Sequence, residues 1–234
     1  MASVCPQLRK CFTARATRAA RSPSVEPVSG EERAERIRAF VALDLSARLV
    51  SRLSAWQASA LAGRRELRPV RPESLHLTLA FLGHLEPDLV DRAAEIVDGA
   101  GDVARPVPIR LGTDLIDLPR RRPRAIAVDV GSPEAVGLQA RLSTRLFDAG
   151  VYLPGSRPFR PHLTVARVRG SPRAGGRGRR LSEGLPPLPG EAGHTFGAVR
   201  IALYRSRLGP GGASYTALTA FELPPLEGAA DEVI

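Results

Sequence analysis

The spacing of apolar positions changes several times along the chain, and the changes mark out the expected elements. Residues 1 to about 34 show no sustained apolar period and are rich in Ala, Arg, Ser and Pro, as in a disordered extension. Order is expected from Ile37, where Ala39-Phe40-Val41-Ala42-Leu43 reads as a strand. Leu49, Val50, Leu53, Trp56 and Leu61 then recur near helical spacing and predict a helix over 46–61. After a turn over Gly63–Arg68 and two prolines, a strand is expected from Leu75 to Leu82, stopped by Gly83. Pro87-Asp88 opens a helix over 87–99. Strands at 107–111 and 124–130, a helix at 133–148 and a strand at about 160–168 follow. Residues 169–194 are rich in Gly, Pro and Arg and read as a mobile surface connection with one short helical turn near Leu181. Closing strands at about 197–205 and 214–222 flank Gly209-Pro210-Gly211-Gly212, a hairpin signal. The ordered domain is thus expected over 35–224, with 225–234 as a tail.

Laid against itself, the chain repeats. Arg38-Ala39-Phe40-Val41-Ala42 faces Arg124-Ala125-Ile126-Ala127-Val128, Arg71-Pro72 faces Arg157-Pro158, and His76-Leu77-Thr78-Leu79-Ala80 faces His162-Leu163-Thr164-Val165-Ala166, each 86 residues apart. Each copy reads as strand, helix, Arg-Pro and a strand carrying His-x-Thr. Two copies predict two similar lobes rather than a solenoid. A pseudo-two-fold relation between the lobes would set the two His-x-Thr strands facing one another across a cleft.

Composition changes this picture little. The net charge is +10, but two acid-free stretches hold it. Arg9, Lys10, Arg15, Arg18 and Arg21 lie in the first, and Arg169, Arg173, Arg177, Arg179 and Arg180 in the second, so the remainder is formally neutral. Charge alone therefore supports an anionic partner only weakly. The Arg-rich start also imitates an organellar transit peptide or an over-extended start, although Met1 is the only methionine. A dispensable extension is the preferred reading. Cys5 and Cys11 have neither the spacing nor the partners of a zinc site and read as incidental reduced thiols. No apolar run approaches the roughly 20 residues that span a bilayer, and no secretory segment stands out, so a cytoplasmic protein with no membrane association is expected.

Alternation puts His76 and Thr78 on one face of their strand, and His162 and Thr164 on one face of theirs. Leu75, Leu77 and Leu79, and Leu163 and Val165, fill the opposite faces. One His-x-Thr is weak evidence for chemistry, but two at matching repeat positions reverse that weighting. An unperturbed imidazole titrates near pH ~6.5, so one can act as base and the other as acid at a phosphodiester. The threonine hydroxyls can donate to non-bridging phosphate oxygens. No metal or cofactor is expected, because His84 and His194 read as exposed and non-catalytic and neither motif contains Asp or Glu. Arg160, two positions before His162, is either a bidentate phosphate ligand or a solvated surface arginine. Arg167 should point to the other face unless its strand bends, and Phe40 reads as strand core more readily than as a base-stacking ring.

The stretches RAFVALDLS (38–46), LHLTLAFLGHL (75–85), RPFRPHLTVARV (157–168) and YRSRLGPGGASYTAL (204–218) resemble the two-histidine phosphoesterase superfamily. More narrowly they resemble its RNA 2′,3′-cyclic phosphodiesterases, formerly called 2′-5′ RNA ligases. The stretches occur in the family's order and span most of 37–222. The resemblance implies an α+β, bilobal fold, with two antiparallel sheets flanking a central cleft and helices outside. It implies hydrolysis of a terminal 2′,3′-cyclic phosphate to a 2′-phosphate, with His76 as proton donor and His162 as acceptor, and it carries over Thr78 and Thr164. The expected partner is RNA with a cyclic phosphate end, tRNA fragments among the candidates, acted on by a monomer. Two departures stand out. The strand Arg124-Ala125-Ile126-Ala127-Val128 lacks the aromatic that the family often has there, and the terminal extension and Arg-rich loop are unlike a compact member. The rival readings are a 3′-exonuclease, a phosphodiesterase for small cyclic nucleotides or 2′-5′ oligonucleotides, and a catalytically silent RNA-binding module.

Overall fold

The computed structural model describes residues 35–100, 105–169, 180–188, 194–209 and 212–227. The expected N-terminal extension, most of the Arg-rich loop and the end of the C-terminal tail lie outside the described residues. The elements run β1 (Ile37–Leu45), α1 (Ala47–Ala60), β2 (Leu67–Pro69), a 3-10 turn (Pro72–Ser74) and β3 (His76–Leu85). They continue with α2 (Pro87–Asp98), β4 (Pro108–Leu118), β5 (Ala125–Gly131), α3 (Pro133–Asp148), β6 (His162–Val168), β7 (Thr195–Gly209) and β8 (Gly212–Glu222).

The fold mixes three helices with one antiparallel sheet among the described residues. The sheet runs β1-β3-β6-β5-β4-β7-β8, and β7 also pairs with β1, so the first six of those strands close on themselves. β2 is added at the edge of β6. The two separate sheets implied by the resemblance are thus joined along two seams. One is the pairing of Leu77 with Leu163 between β3 and β6. The other is the pairing of 108–110 with 195–197 between β4 and β7.

Helices α1 and α3 each lay an apolar stripe onto the strands. Leu49, Leu53 and Trp56 of α1, and Leu138, Leu142 and Leu146 of α3, are buried in one core with Leu43, Leu77, Val128 and Leu163. Helix α3 starts where the sequence indicates it should. Ser132 accepts the Ala135 amide at 3.1 Å as its N-cap, and Pro133 follows it.

Three expectations need correction. Strand β3 does not stop at Gly83 but runs on to Leu85, because Gly83 takes φ +80° and lets the strand kink without ending. Strand β4 extends to Leu118; its second half is largely half-buried and slips register against β5 between Leu111 and Leu115, which hid it from an apolar reading. Strand β2, inside the expected turn, is too short to show a period.

The uniform 86-residue offset is also corrected. Leu77 pairs with Leu43 and Leu163 with Val128; Thr78 pairs with Ala42 and Thr164 with Ala127. The histidine strands match at 86, but their partner strands match at 85. Phe40 therefore corresponds to Ala125 and Asp44 to Asp129. Because a strand alternates faces, the one-residue difference decides which side chains face the site.

Candidate active site

The pairing of Leu77 with Leu163 organises the site. Both leucines are fully buried. Residues beside a directly paired position lie on the opposite face of both strands, so His76, Thr78, His162 and Thr164 emerge together on the other side. All four are half-buried. Among the described residues neither threonine hydroxyl has a hydrogen-bond partner, so both can donate to a ligand.

The histidines are held in the same way. His76 Nδ1 lies 2.9 Å from the Ser74 carbonyl, and His162 Nδ1 lies 2.9 Å from the Arg160 carbonyl. A carbonyl can only accept, so each Nδ1 carries the proton, and each Nε2 is left with a lone pair in the neutral ring. Each histidine also has an aspartate directly across the ladder, Asp44 beside His76 and Asp129 beside His162. Asp44 accepts from Arg200 Nε at 2.6 Å and from the Tyr204 hydroxyl at 2.6 Å. Asp129 accepts from Arg160 Nε at 2.9 Å.

The surroundings of the two rings differ. Phe40 packs against His76 with its ring tilted, centroids 4.9 Å apart, and Tyr215 meets the same imidazole edge-on at 5.2 Å. Burial pushes His76 down to about 4, against the opposing pull of its Ser74 hydrogen bond and Asp44. At neutral pH the unliganded ring is therefore uncharged. Burial, with Asp44 adding to it, raises Tyr204 to about 12, so its hydroxyl stays a donor. The residue equivalent to Phe40 beside His162 is Ala125.

A second feature is shared. In β3 the register shifts between Ala42↔Thr78 and Val41↔Ala80, and in β6 between Ala127↔Thr164 and Ile126↔Ala166. Each shift is a β-bulge, and each buries two successive residues, Leu79-Ala80 and Val165-Ala166. The phase of alternation reverses beyond it. Arg167, which strict alternation sends to the far face, therefore returns to the histidine face, and its charge works against protonation of His76.

Comparisons with known proteins give the family. A family model described as LigT-like phosphoesterase matches residues 43–125. The chain is 31% identical over 194 residues to an RNA 2′,3′-cyclic phosphodiesterase of Methanothermobacter thermautotrophicus, covering 80% of this chain and 100% of that one. The chain belongs to the LigT-like phosphoesterases. Crystal structures of two proteins of similar fold agree. TT0787 of Thermus thermophilus superposes with a TM-score of 0.66 at 27% identity, over 80% of this chain and 98% of that one. Escherichia coli LigT complexed with 3′-AMP gives 0.60 at 25% identity, over 81% and 99%.

In this LigT-like phosphoesterase the structure brings His76, Thr78, His162 and Thr164 onto one surface, with Arg160 at the edge and paired to Asp129. Phe40 is buried, yet it lies beneath His76 and outside the main apolar core. His84 and His194 are exposed, His84 on a strand rather than in a turn. A cavity of about 570 Å³ opens beside His76, lined also by Asp44, Ser51, Glu73, Arg200 and Tyr215. Sequence reading missed Asp44, Asp129, Tyr204 and Tyr215, and set Arg167 on the far face unless its strand bends. The signal for the aspartates was present as Ala42-Leu43-Asp44 and Ala127-Val128-Asp129, but at an offset of 85 rather than 86. No group of three described His, Cys, Asp or Glu side chains is disposed to hold a metal. No helix among the described residues is long and apolar enough to cross a membrane.

Proposed function

We propose that this protein hydrolyses the terminal 2′,3′-cyclic phosphate of RNA to a 2′-phosphomonoester by metal-independent acid–base catalysis between His76 and His162. The observation that carries the reading is the common face, around Leu77 and Leu163, from which both histidines and both threonines project. One imidazole takes a proton from water, which attacks phosphorus. The P–O3′ bond breaks, and the other imidazole protonates the departing 3′-oxygen. Thr78 and Thr164 donate to the non-bridging oxygens, and Arg167 adds charge where the anion builds. Family membership supports the substrate class, since the curated relative bears the name of this activity. We also read the two halves as a duplication about a pseudo-two-fold axis, supported by the matched pairings, bulges, aspartates and carbonyl-anchored rings.

The resemblance makes His76 the donor. The lowered proton affinity of the unliganded His76 favours the reverse assignment, because a neutral ring is ready to act as base. A donor His76 would have to gain its proton as the phosphate anion arrives.

Product analysis on cyclic-phosphate-ended RNA tests the activity, with a 2′-phosphate expected; a 3′-phosphate or successive nucleotide loss would overturn it. His76→Ala and His162→Ala are each expected to lose about 10²–10⁴-fold in turnover while retaining RNA binding. Absence of turnover in the intact protein, with RNA binding that survives both substitutions, would instead support a silent binding module. A substrate with sulfur in place of the leaving 3′-oxygen separates the roles. A thiolate departs without a proton, so only the variant lacking the acid should recover activity.

A further inference from the structure

Beside the histidine face lies a second cavity, of about 260 Å³, with a different character. Its walls include Arg68, Arg71, Arg167 and Arg169, together with Ser74 and Tyr215, and none of the described residues lining it is acidic. The sheet itself brings two of these arginines together. Arg68 of β2 is the direct ladder partner of Arg167 of β6, so both side chains leave the sheet on the same side. The ladder thus sets two guanidinium side chains next to one another on one side of the sheet, as an anion site needs.

The other walls come from the segments that flank the sheet. Arg169 donates through Nε to the Leu67 carbonyl at 3.0 Å, which holds its guanidinium at the cavity. Arg71 immediately precedes the 3-10 turn whose Ser74 carbonyl anchors His76. At the start of β8, Gly212 lies so close to Arg68 that a Cβ there would sit 2.6 Å from its Nη1. The absence of a side chain at Gly212 is what gives the guanidinium room.

This cavity shares a wall with the one beside His76. Tyr215 lines both it and the cavity that holds His76, and Arg167 belongs to its wall while acting on the His76 ring. Two anions held side by side in this way are most simply successive phosphates of one strand. We propose that the cavity is a second phosphate site, which takes a backbone phosphate on the 5′ side of the cyclic-phosphate nucleotide, so that the protein selects RNA ends over free cyclic nucleotides. The inference rests on the function proposed above and narrows its substrate to polyanionic strands.

Steady-state kinetics on three substrates test it: a nucleoside 2′,3′-cyclic phosphate, the same compound bearing a 5′-phosphate, and a cyclic-phosphate-ended trinucleotide. The intact protein is expected to favour the trinucleotide by about ten-fold or more in kcat/KM, the strength of a charge-assisted contact. An equal gain from the 5′-phosphate alone would identify the first upstream phosphate as the ligand. A gain confined to the trinucleotide would identify a later one.

In Arg68→Gln/Arg71→Gln the trinucleotide KM should rise about ten-fold, with kcat and the nucleoside substrate nearly unchanged. The salt slope of trinucleotide binding should fall by about 0.7 for each phosphate no longer neutralised. Arg71→Gln alone, at an exposed side chain, covers the case in which the double variant fails to fold. Arg71→Lys, which keeps the charge, should restore most of the preference. Equal kcat/KM for all three substrates in the intact protein, or a double variant impaired alike on all of them, would overturn the second site. Hydrolysis of none of them would instead defeat the proposed function and leave anion binding to be read directly, by anisotropy of a labelled trinucleotide with His162→Ala.

Discussion

His76 carries its Nδ1 proton toward a backbone carbonyl and packs its ring against Phe40 and Tyr215. That environment fixes the tautomer and also disfavours the charged form. In the native protein the ring should remain neutral down to about pH 4, against about 6.5 in an unfolded chain. Between these values the unfolded state binds the extra proton. Stability contributed by the buried neutral ring is therefore complete above about 6.5 and is lost as pH falls toward 4. Chemical denaturation at pH 7, 5.5 and 4 should show this decline, and His76→Phe should flatten it. Nitrogen-15 NMR titration should find the His76 midpoint near 4 in the free protein and higher with phosphate present, because the anion favours the imidazolium. The histidines and threonines themselves were legible as a repeated motif. Their aspartate neighbours were not, because a cross-strand partner is set by register, and the register differs by one residue between the copies.

The bulges in β3 and β6 explain why alternation misplaced Arg167. A bulge spends one extra residue on a strand, so every side chain beyond it changes face. The sequence did carry the trace, as the successive apolar residues Leu79-Ala80 and Val165-Ala166, but such pairs also occur in strands buried on both sides. The bulge in β6 is pinned from α1. Gln57 is buried and donates through Nε2 to the Val165 carbonyl at 2.6 Å and the Val70 carbonyl at 3.0 Å. Gln57→Leu should therefore cost about 1–3 kcal/mol in thermal or denaturant unfolding by removing both bonds, which leaves the Val165 carbonyl only the Val70 amide. It should also lower activity by letting Arg167 shift, whereas Ser132→Ala, at the α3 cap, should cost about 1 kcal/mol and leave activity intact. Helices α1, α2 and α3 were the most legible elements, since their apolar stripes match the buried positions.

The closed sheet makes the reaction centre a property of the whole chain. His76 and His162 come from strands that meet at a single paired position, and the ring of strands holds that meeting point from both sides. Leu77→Ala, at a fully buried residue of this seam, should cost about 2–5 kcal/mol and impair both histidines together. Its activity loss should then exceed what the unfolded fraction alone explains, measured at a temperature where the variant is folded. The closure was beyond sequence reading, because it depends on short pairings such as 108–110 with 195–197 that no local pattern announces.

One contrast in the site bears on the direction in which the cyclic ester opens. If both halves presented identical walls, a five-membered phosphate ring could enter in either of two orientations, exchanging its 2′ and 3′ oxygens between the imidazoles. The protein would then release a mixture of isomeric monoesters. The walls are not identical: a phenylalanine flanked by tyrosines backs one imidazole, and alanine occupies the matching position by the other. Under the proposed hydrolysis, that inequality would give the ribose a single way in, and with it the regiochemistry of the product.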